Sequence, residues 1–313
     1  MRPPVSEFNQ QGFENFLAGL SDNLKNDESI QELLRFYCLH GVKENELSAI
    51  LGFYLQSYSR KNTQKFTVIV NSSLPKNDGI ISFPLPEKPK WQFTTIDNSD
   101  KGIIKKILGK TPPRADLQIF NLNKDPKHII EFKSDRRLWY LSELHKSNSK
   151  LHKNLIGDLK FLATLQAFSM YKETSCWQGV ITYSFQEVGE QFPNNFPKYN
   201  LDEHKKKLRV PEIRNEEDEK TWFKICDKEL EKLIDQLKAL IRSQDYLVHT
   251  EKIATIGLAK GIVNLHSSAE ESGARVLVQS ELLIFEVKAN EKYLDRIRPQ
   301  IIELQKKSAI RGN

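Results

Sequence analysis

A mixed α/β protein with a central mixed sheet flanked by helices is what the sequence predicts, and three observations predict it. Residues 7–59 carry apolar side chains at helical spacing. From Lys65 the period changes to short β-branched and aromatic runs divided by Pro, Asn, Asp and Gly. After residue 146 a long helical segment is followed by another strand-like apolar run. Helix, strands, hairpin, long helix and strand is the order of a sheet covered by helices.

The first helical stretch falls into three pieces, broken near Ser21–Asn26 and at His40–Gly41. In the third, "ENELSAILGFYLQSY", the residues Leu47, Ile50, Leu51, Tyr54, Leu55 and Tyr58 form one apolar stripe, a core face. "KFTVIVNSS", "GIISFPL" and "KWQFTT" then read as strands, and "KGIIKKILGK" as a short helix stopped by "TPPR". "ADLQIF" and "HIIEFK" flank "NLNKDPK", whose Asn, Asp and Pro favour a turn, so the pair reads as a hairpin. Leu151, Leu155, Ile156, Leu159, Leu162, Ala163 and Leu165 mark a helix, and "CWQGVITYSF" a strand.

Past Phe185 the composition shifts to proline and dense charge, which sets a boundary: residues 1–190 form one domain with the N-terminal helices, and 191–313 a C-terminal helical and α+β region. A helix over 216–243 begins acidic and ends basic, in agreement with the helix dipole. Its Cys226, Leu230, Leu233, Leu237 and Leu240 step as a seam suited either to a second copy or to this chain's own core. "IATIGLAKGIVNLH" and "ARVLVQSELLIFEVKAN" read as strands and "YLDRIRPQIIELQKK" as a last helix.

A 313-residue chain with 39% hydrophobic and 28% charged residues buries a sizeable core, and 10% aromatics argue against disorder. Net charge is +6, with Lys and Arg clustered at 124–137, 146–160 and 204–209, which favours polyanionic partners. Cys38, Cys176 and Cys226 lie far apart and read as reduced core residues. No run approaches the roughly 18 apolar residues a membrane helix needs, and no apolar segment follows the N-terminal arginine, so the expected location is cytoplasmic, without membrane.

The hairpin carries the chemistry. Alternate strand residues share a face, so Glu131 and Lys133 point one way, Ile130 and Phe132 the other. A turn near Lys124 and Asp125 places Asp116 opposite Glu131–Lys133, at a Cβ separation of about 4.5–5.5 Å. Two carboxylates that close repel unless a cation lies between them. Mg²⁺ is commonly held by one or two carboxylates plus substrate phosphate, and a neighbouring lysine can orient water or counter developing charge. The other reading is an exposed salt-bridge cluster. The pattern acid, any residue, Lys occurs six times, and only "EFK" and "EVK" lie on strand-like text. Glu286 and Lys288 of "EVK" are the rival, weakened because the text before them, "ARVLVQS", offers no opposing Asp.

Asp116 with Glu131 and Lys133 resembles the PD-(D/E)XK nuclease superfamily, the restriction-endonuclease-like fold, over about residues 28–185. "RAD" stands where that family often has Pro before the Asp. "ENELSAILGFYL" resembles the helix that supplies a further Glu, which maps onto Glu44, with Glu46 as the reserve. The approximately 70 residues between Glu44 and Asp116 imply an insertion. Gln166 and Tyr171 are offset from the family's helix motif and read as packing residues. The resemblance implies a restriction-endonuclease-like core and a Mg²⁺-dependent DNA endonuclease, with Mn²⁺ as a possible substitute, of a prokaryotic restriction or phage-defence type. Asp116, Glu131 and Glu44 would bind metal and Lys133 would position the attacking water. Arg136, Arg137, Lys146, Lys150, Lys153 and Lys160 could track phosphates. Residues 191–313 would recognise DNA or form a homodimer. The alternative is a catalytically inactive nucleic-acid-binding or regulatory protein with a nuclease-like fold.

Overall fold

The computed structural model describes residues 9–40, 44–61, 66–70, 98–109, 115–121, 125–136, 143–188, 213–250, 252–267 and 270–311. The strands expected at "GIISFPL" and "KWQFTT" and the proline-rich stretch 189–212 lie outside them. Three N-terminal helices, α1 (Gln10–Lys25), α2 (Glu28–His40) and α3 (Glu44–Lys61), break where the sequence predicts. There follow β1 (Thr67–Val70), α4 (Asn98–Leu108), β2 (Leu117–Phe120), β3 (Pro126–Arg136), α5 (Lys150–Leu165) and β4 (Ser175–Val188). The remainder is α6 (Glu216–Ser243), the two-residue β5 (Val248–His249), β6 (Ile253–Ser267), β7 (Glu270–Ala289) and α7 (Glu291–Arg311). Among the described residues no helix is long and apolar enough to cross a membrane.

The protein is a mixed α/β protein built on one mixed sheet. Its strands run β1-β2-β3-β4-β7, with β6 and β5 pairing the outer edge of β7. Every pairing is antiparallel except β3 with β4, the parallel pair that α5 connects. The β2–β3 hairpin is in the expected register, Leu117 facing Ile130, so the next residue back, Asp116, falls beside Glu131.

Alternation along the strands separates two cores. On one face Ile129, Cys176, Val180, Leu283 and Phe285 pack against Leu155, Leu159 and Leu162 of α5, with α4, α6 and α7 around them. On the other, Leu117, Ile130, Phe132, Trp177 and Ile284 pack against Phe13, Leu20, Leu47 and Leu51 of α1 and α3. At about 1.5–3 kcal/mol for each fully buried aliphatic or Phe side chain, these two faces supply the main favourable term in folding. Cys38, Cys176 and Cys226 are buried in the core, as the sequence predicts.

One expectation about the C-terminal region is revised, and one open choice is decided. The boundary at residue 190 does not divide the sheet, because β7 pairs with β4 from Cys176–Val287 to Val188–Arg275 and α6 and α7 enter the same core as α5. The α6 seam is filled by its own chain: Leu233, Leu237 and Leu240 join that core, and Cys226 packs with Trp222 and Leu277. An amphipathic helix beside an open sheet face buries its stripe there first, so this seam carries no argument for a dimer.

Gly179 of β4 lets the second core close. A Cβ at this position would lie 2.5 Å from Cδ1 of Phe132, a fully buried ring with no room to retreat. Gly179→Ala is therefore expected to cost about 1–3 kcal/mol by overpacking, measured by urea denaturation. It should also disturb the site below, since Phe132 stands between Glu131 and Lys133.

Candidate active site

Asp116, Glu131, Lys133 and Glu44 come together. Asp116 precedes β2 and its Oδ2 accepts the Phe132 backbone N–H at 2.7 Å, a bond that ties the first acid to the strand bearing the other two groups. Glu131 and Lys133 point to the α5 side of the sheet, the face of Ile129, while Ile130 and Phe132 point to the α1 side. Glu44 opens α3, and its Oε2 lies 3.6 Å from Lys133 Nζ. Glu46, the reserve, raises the Tyr37 phenol pKa instead, after burial, and so belongs to the α2 side of its helix.

The site is buried, not an exposed salt-bridge cluster: Glu131 is 1% exposed, and the side chain of Lys133 14%. Burial pushes the Asp116 carboxyl up to about 6, against the pull of the Phe132 N–H and the Lys133 charge. Burial, then the charges of Asp116 and Asp158, hold Glu131 well above the usual carboxylate range. Burial opposes the charge on Lys133, but Asp158 first, then Glu44, Glu131 and Asp116, outweigh it and keep the ammonium protonated. Among the described residues four acids surround this one lysine.

Asp158 is the member that sequence reasoning missed. It lies on α5, buried, with Oδ2 3.0 Å from Lys133 Nζ. The spacing reading set "DLK" aside because it lies within a helix, and as an acid-x-Lys motif it is indeed irrelevant. The usable signal was different: Asp158 falls between Leu155, Leu159 and Leu162 on the apolar stripe, where an acid needs a partner. Gln178 of β4 was missed too. It pairs in register with Glu131, donates Nε2 to the Glu131 carbonyl at 3.1 Å, and is fully buried.

No family model, curated protein or solved structure matches this chain significantly. The site must therefore be argued from its own atoms. As the side chains stand, Lys133 Nζ occupies the centre, and among the described residues no three His, Cys, Asp or Glu groups converge on one metal position. The donor set nevertheless suits a hard cation. Among the described residues Glu131 Oε1 is buried with no hydrogen-bond partner, and the charge of Lys133 does not offset the burial of Glu131 and Asp116. Asp116 and Glu131 are the residues that could hold the ion, with Glu44 on the more exposed side.

The rival pair is elsewhere. "ARVLVQSELLIFEVKA" is not two strands but part of the single strand β7, and Glu286 faces Trp177 of β4 in register. Glu286 and Lys288 point to the opposite face, where Glu286 Oε2 accepts from Gln10 of α1 at 3.1 Å and lies 3.6 Å from Lys288 Nζ. Glu286 borders a cavity of about 420 Å³ lined also by Gln10, Glu14, Trp177 and Ile284. No second acid meets them from β4.

Lys146, Lys150 and Lys153 are exposed around the N-terminal end of α5, and Lys160 is half-buried further along. The first turn of α5 has no acidic residue, so the helix dipole and these lysines add at that end. Arg136 ends β3 with its side chain outside the described residues, as is all of Arg137. Gln166 and Tyr171 pack as expected: Gln166 donates to the Val287 carbonyl at 2.8 Å, and Tyr171 is buried in the α5 core.

Proposed function

We propose that this chain is a metal-dependent DNA endonuclease, hydrolysing phosphodiester bonds on a restriction-endonuclease-like core. The observation that carries the reading is the meeting of Asp116, Glu131 and Lys133 from one hairpin with Glu44 from an earlier helix at one buried point. A merely structural ion cluster would balance its charges. Among the described residues this one has more acids than bases and a carboxylate oxygen with no hydrogen-bond partner.

In this reading Asp116 and Glu131 hold Mg²⁺ or Mn²⁺ and Glu44 takes an outer or second-metal position. Bound metal supplies charge neutralisation at the phosphate and a more acidic water. Lys133, kept protonated by its acid neighbours, orients the attacking water and counters negative charge developing on the phosphate. The lysines around the α5 N-terminus give salt-dependent, sequence-independent affinity for the DNA backbone. The α3-β1-β2-β3-α5-β4 order, with α4 in the long interval between Glu44 and Asp116, supports the core assignment. The prokaryotic restriction or phage-defence setting rests on the family resemblance alone.

The test is incubation of the purified chain with plasmid, linear duplex, single-stranded DNA and RNA, with and without Mg²⁺, beside Lys133→Ala. Cleavage of DNA in Mg²⁺ by the wild type and its loss in Lys133→Ala, with an unchanged circular dichroism spectrum, is the expected result. Salt-sensitive DNA retention with no hydrolysis in either Mg²⁺ or Mn²⁺ would replace the enzyme by a nucleic-acid-binding protein of the same fold.

A further inference from the structure

We propose that Asp158 is a positioning residue of this site, which anchors the Lys133 ammonium and leaves its contact with Glu44 as the one that substrate replaces. An ammonium carries three N–H donors. Three oxygens surround this one: the Phe132 carbonyl accepts its hydrogen bond at 2.6 Å, and Asp158 Oδ2 at 3.0 Å and Glu44 Oε2 at 3.6 Å are ion-paired with it.

The three differ in how firmly they are held. The carbonyl belongs to the neighbouring residue of the same strand. Asp158 sits on a helix face pinned to the sheet by Leu155, Leu159 and Leu162, and its carboxylate is buried. Glu44 stands in the first turn of α3 with a third of its side chain exposed, and its contact is too long for a hydrogen bond. One hydrogen bond and one close, buried ion pair therefore define where Nζ sits, and the third contact, at the exposed side, is a weak ion pair that a phosphate oxygen or a water can displace. Without Asp158 the lysine would keep only its own strand's carbonyl as a close anchor. A flexible four-carbon stem held at one point does not present its charge within the tolerance that catalysis needs.

The functional half of this inference rests on the nuclease reading, and the anchoring half on geometry alone, so two measurements separate them. The first is a double-mutant cycle in thermal unfolding, without metal, on wild type, Asp158→Asn, Lys133→Met and the double variant. Asp158→Asn removes the closest counter-charge of Lys133 and Lys133→Met strands Asp158, so each single change is expected to lower Tm by roughly 5–10 °C, while the double variant recovers at least half of the summed loss. Additive losses overturn the anchor. Should Asp158→Asn alone fail to fold, recovery of a cooperative transition in the double variant supports the pairing and its absence overturns it.

The second measurement is plasmid cleavage in Mg²⁺. Asp158→Asn is expected to lower kcat about 10- to 100-fold with KM changed less than about threefold, and Asp158→Glu, which keeps the charge, to recover part of kcat. A variant that cleaves at the wild-type rate overturns the positioning role even if the cycle is non-additive. A wild type that cleaves nothing overturns the nuclease reading instead, and the cycle still decides the anchor.

Discussion

Glu131→Gln is expected to lower Mg²⁺-dependent cleavage by on the order of 10³-fold while making the metal-free protein more stable at pH 8, by several degrees in Tm. The two effects have one cause. Glu131 is almost wholly buried, its Oε1 has no hydrogen-bond partner, and the charges of Asp116 and Asp158 add to the cost of burying its own. A neutral amide of the same shape removes that cost and, with it, a group needed to hold the metal. The pH dependence has a definite sign. A carboxyl whose folded pKa is raised contributes stability that is present at low pH and lost as pH rises through the folded value. Glu131 is raised well above its ordinary 4.5, and Asp116, present in both proteins, shifts in the same direction. Wild type and Glu131→Gln should therefore melt alike near pH 4 and diverge progressively as pH rises past 4.5, with the variant higher. A variant that melts lower than wild type at pH 8 would mean that Glu131 is stabilised as an anion, and the argument for a cation at this point would fall. Mutating an ordinary structural salt bridge has the opposite outcome, because removing one partner strands the other.

The parts of this site that were legible in the sequence share a physical property: they are local. Period-two alternation put Glu131 and Lys133 on one face, and the turn formers of "NLNKDPK" set the register that brings Asp116 beside them. Both follow from strand geometry within about 20 residues. Asp158 was not local. It comes from a helix after the hairpin, and only the parallel crossover that packs α5 on the β3–β4 pair brings it to Lys133. An acid on an apolar helix stripe announces that a partner exists, but not which one. The same limit explains the C-terminal region. The β6 and β7 patterns were visible as strands, yet a strand's sequence does not say which edge it joins. β7 lies against β4, and a boundary drawn from proline and charge content at residue 190 separates composition without separating the core. The α6 seam makes the point again, since a stripe of Leu at heptad-like spacing fits a second helix or a sheet face equally well. Here the sheet was nearer.

Mg²⁺ is expected to raise the wild-type Tm at pH 8, by roughly 5–10 °C at a concentration about a hundredfold above its dissociation constant. At pH 5 the same addition should do little. The argument follows from charge. Asp116, Glu131, Asp158 and Glu44 crowd their carboxyl groups around Lys133, and a divalent cation relieves repulsion that the unfolded chain does not suffer. Below about 6 Asp116 takes up a proton, so an incoming cation must displace it, and binding weakens as pH falls. Asp116→Asn and Glu131→Gln should lose most of the stabilisation. Glu44→Gln should keep more of it, because Glu44 is the most exposed of the four and contributes from the rim. Differential scanning fluorimetry of these four proteins across pH, with and without Mg²⁺, reads all of this without any assay of cleavage. If Mg²⁺ stabilises Asp116→Asn as much as wild type, the ion binds elsewhere, and the hairpin acids serve only to hold Lys133.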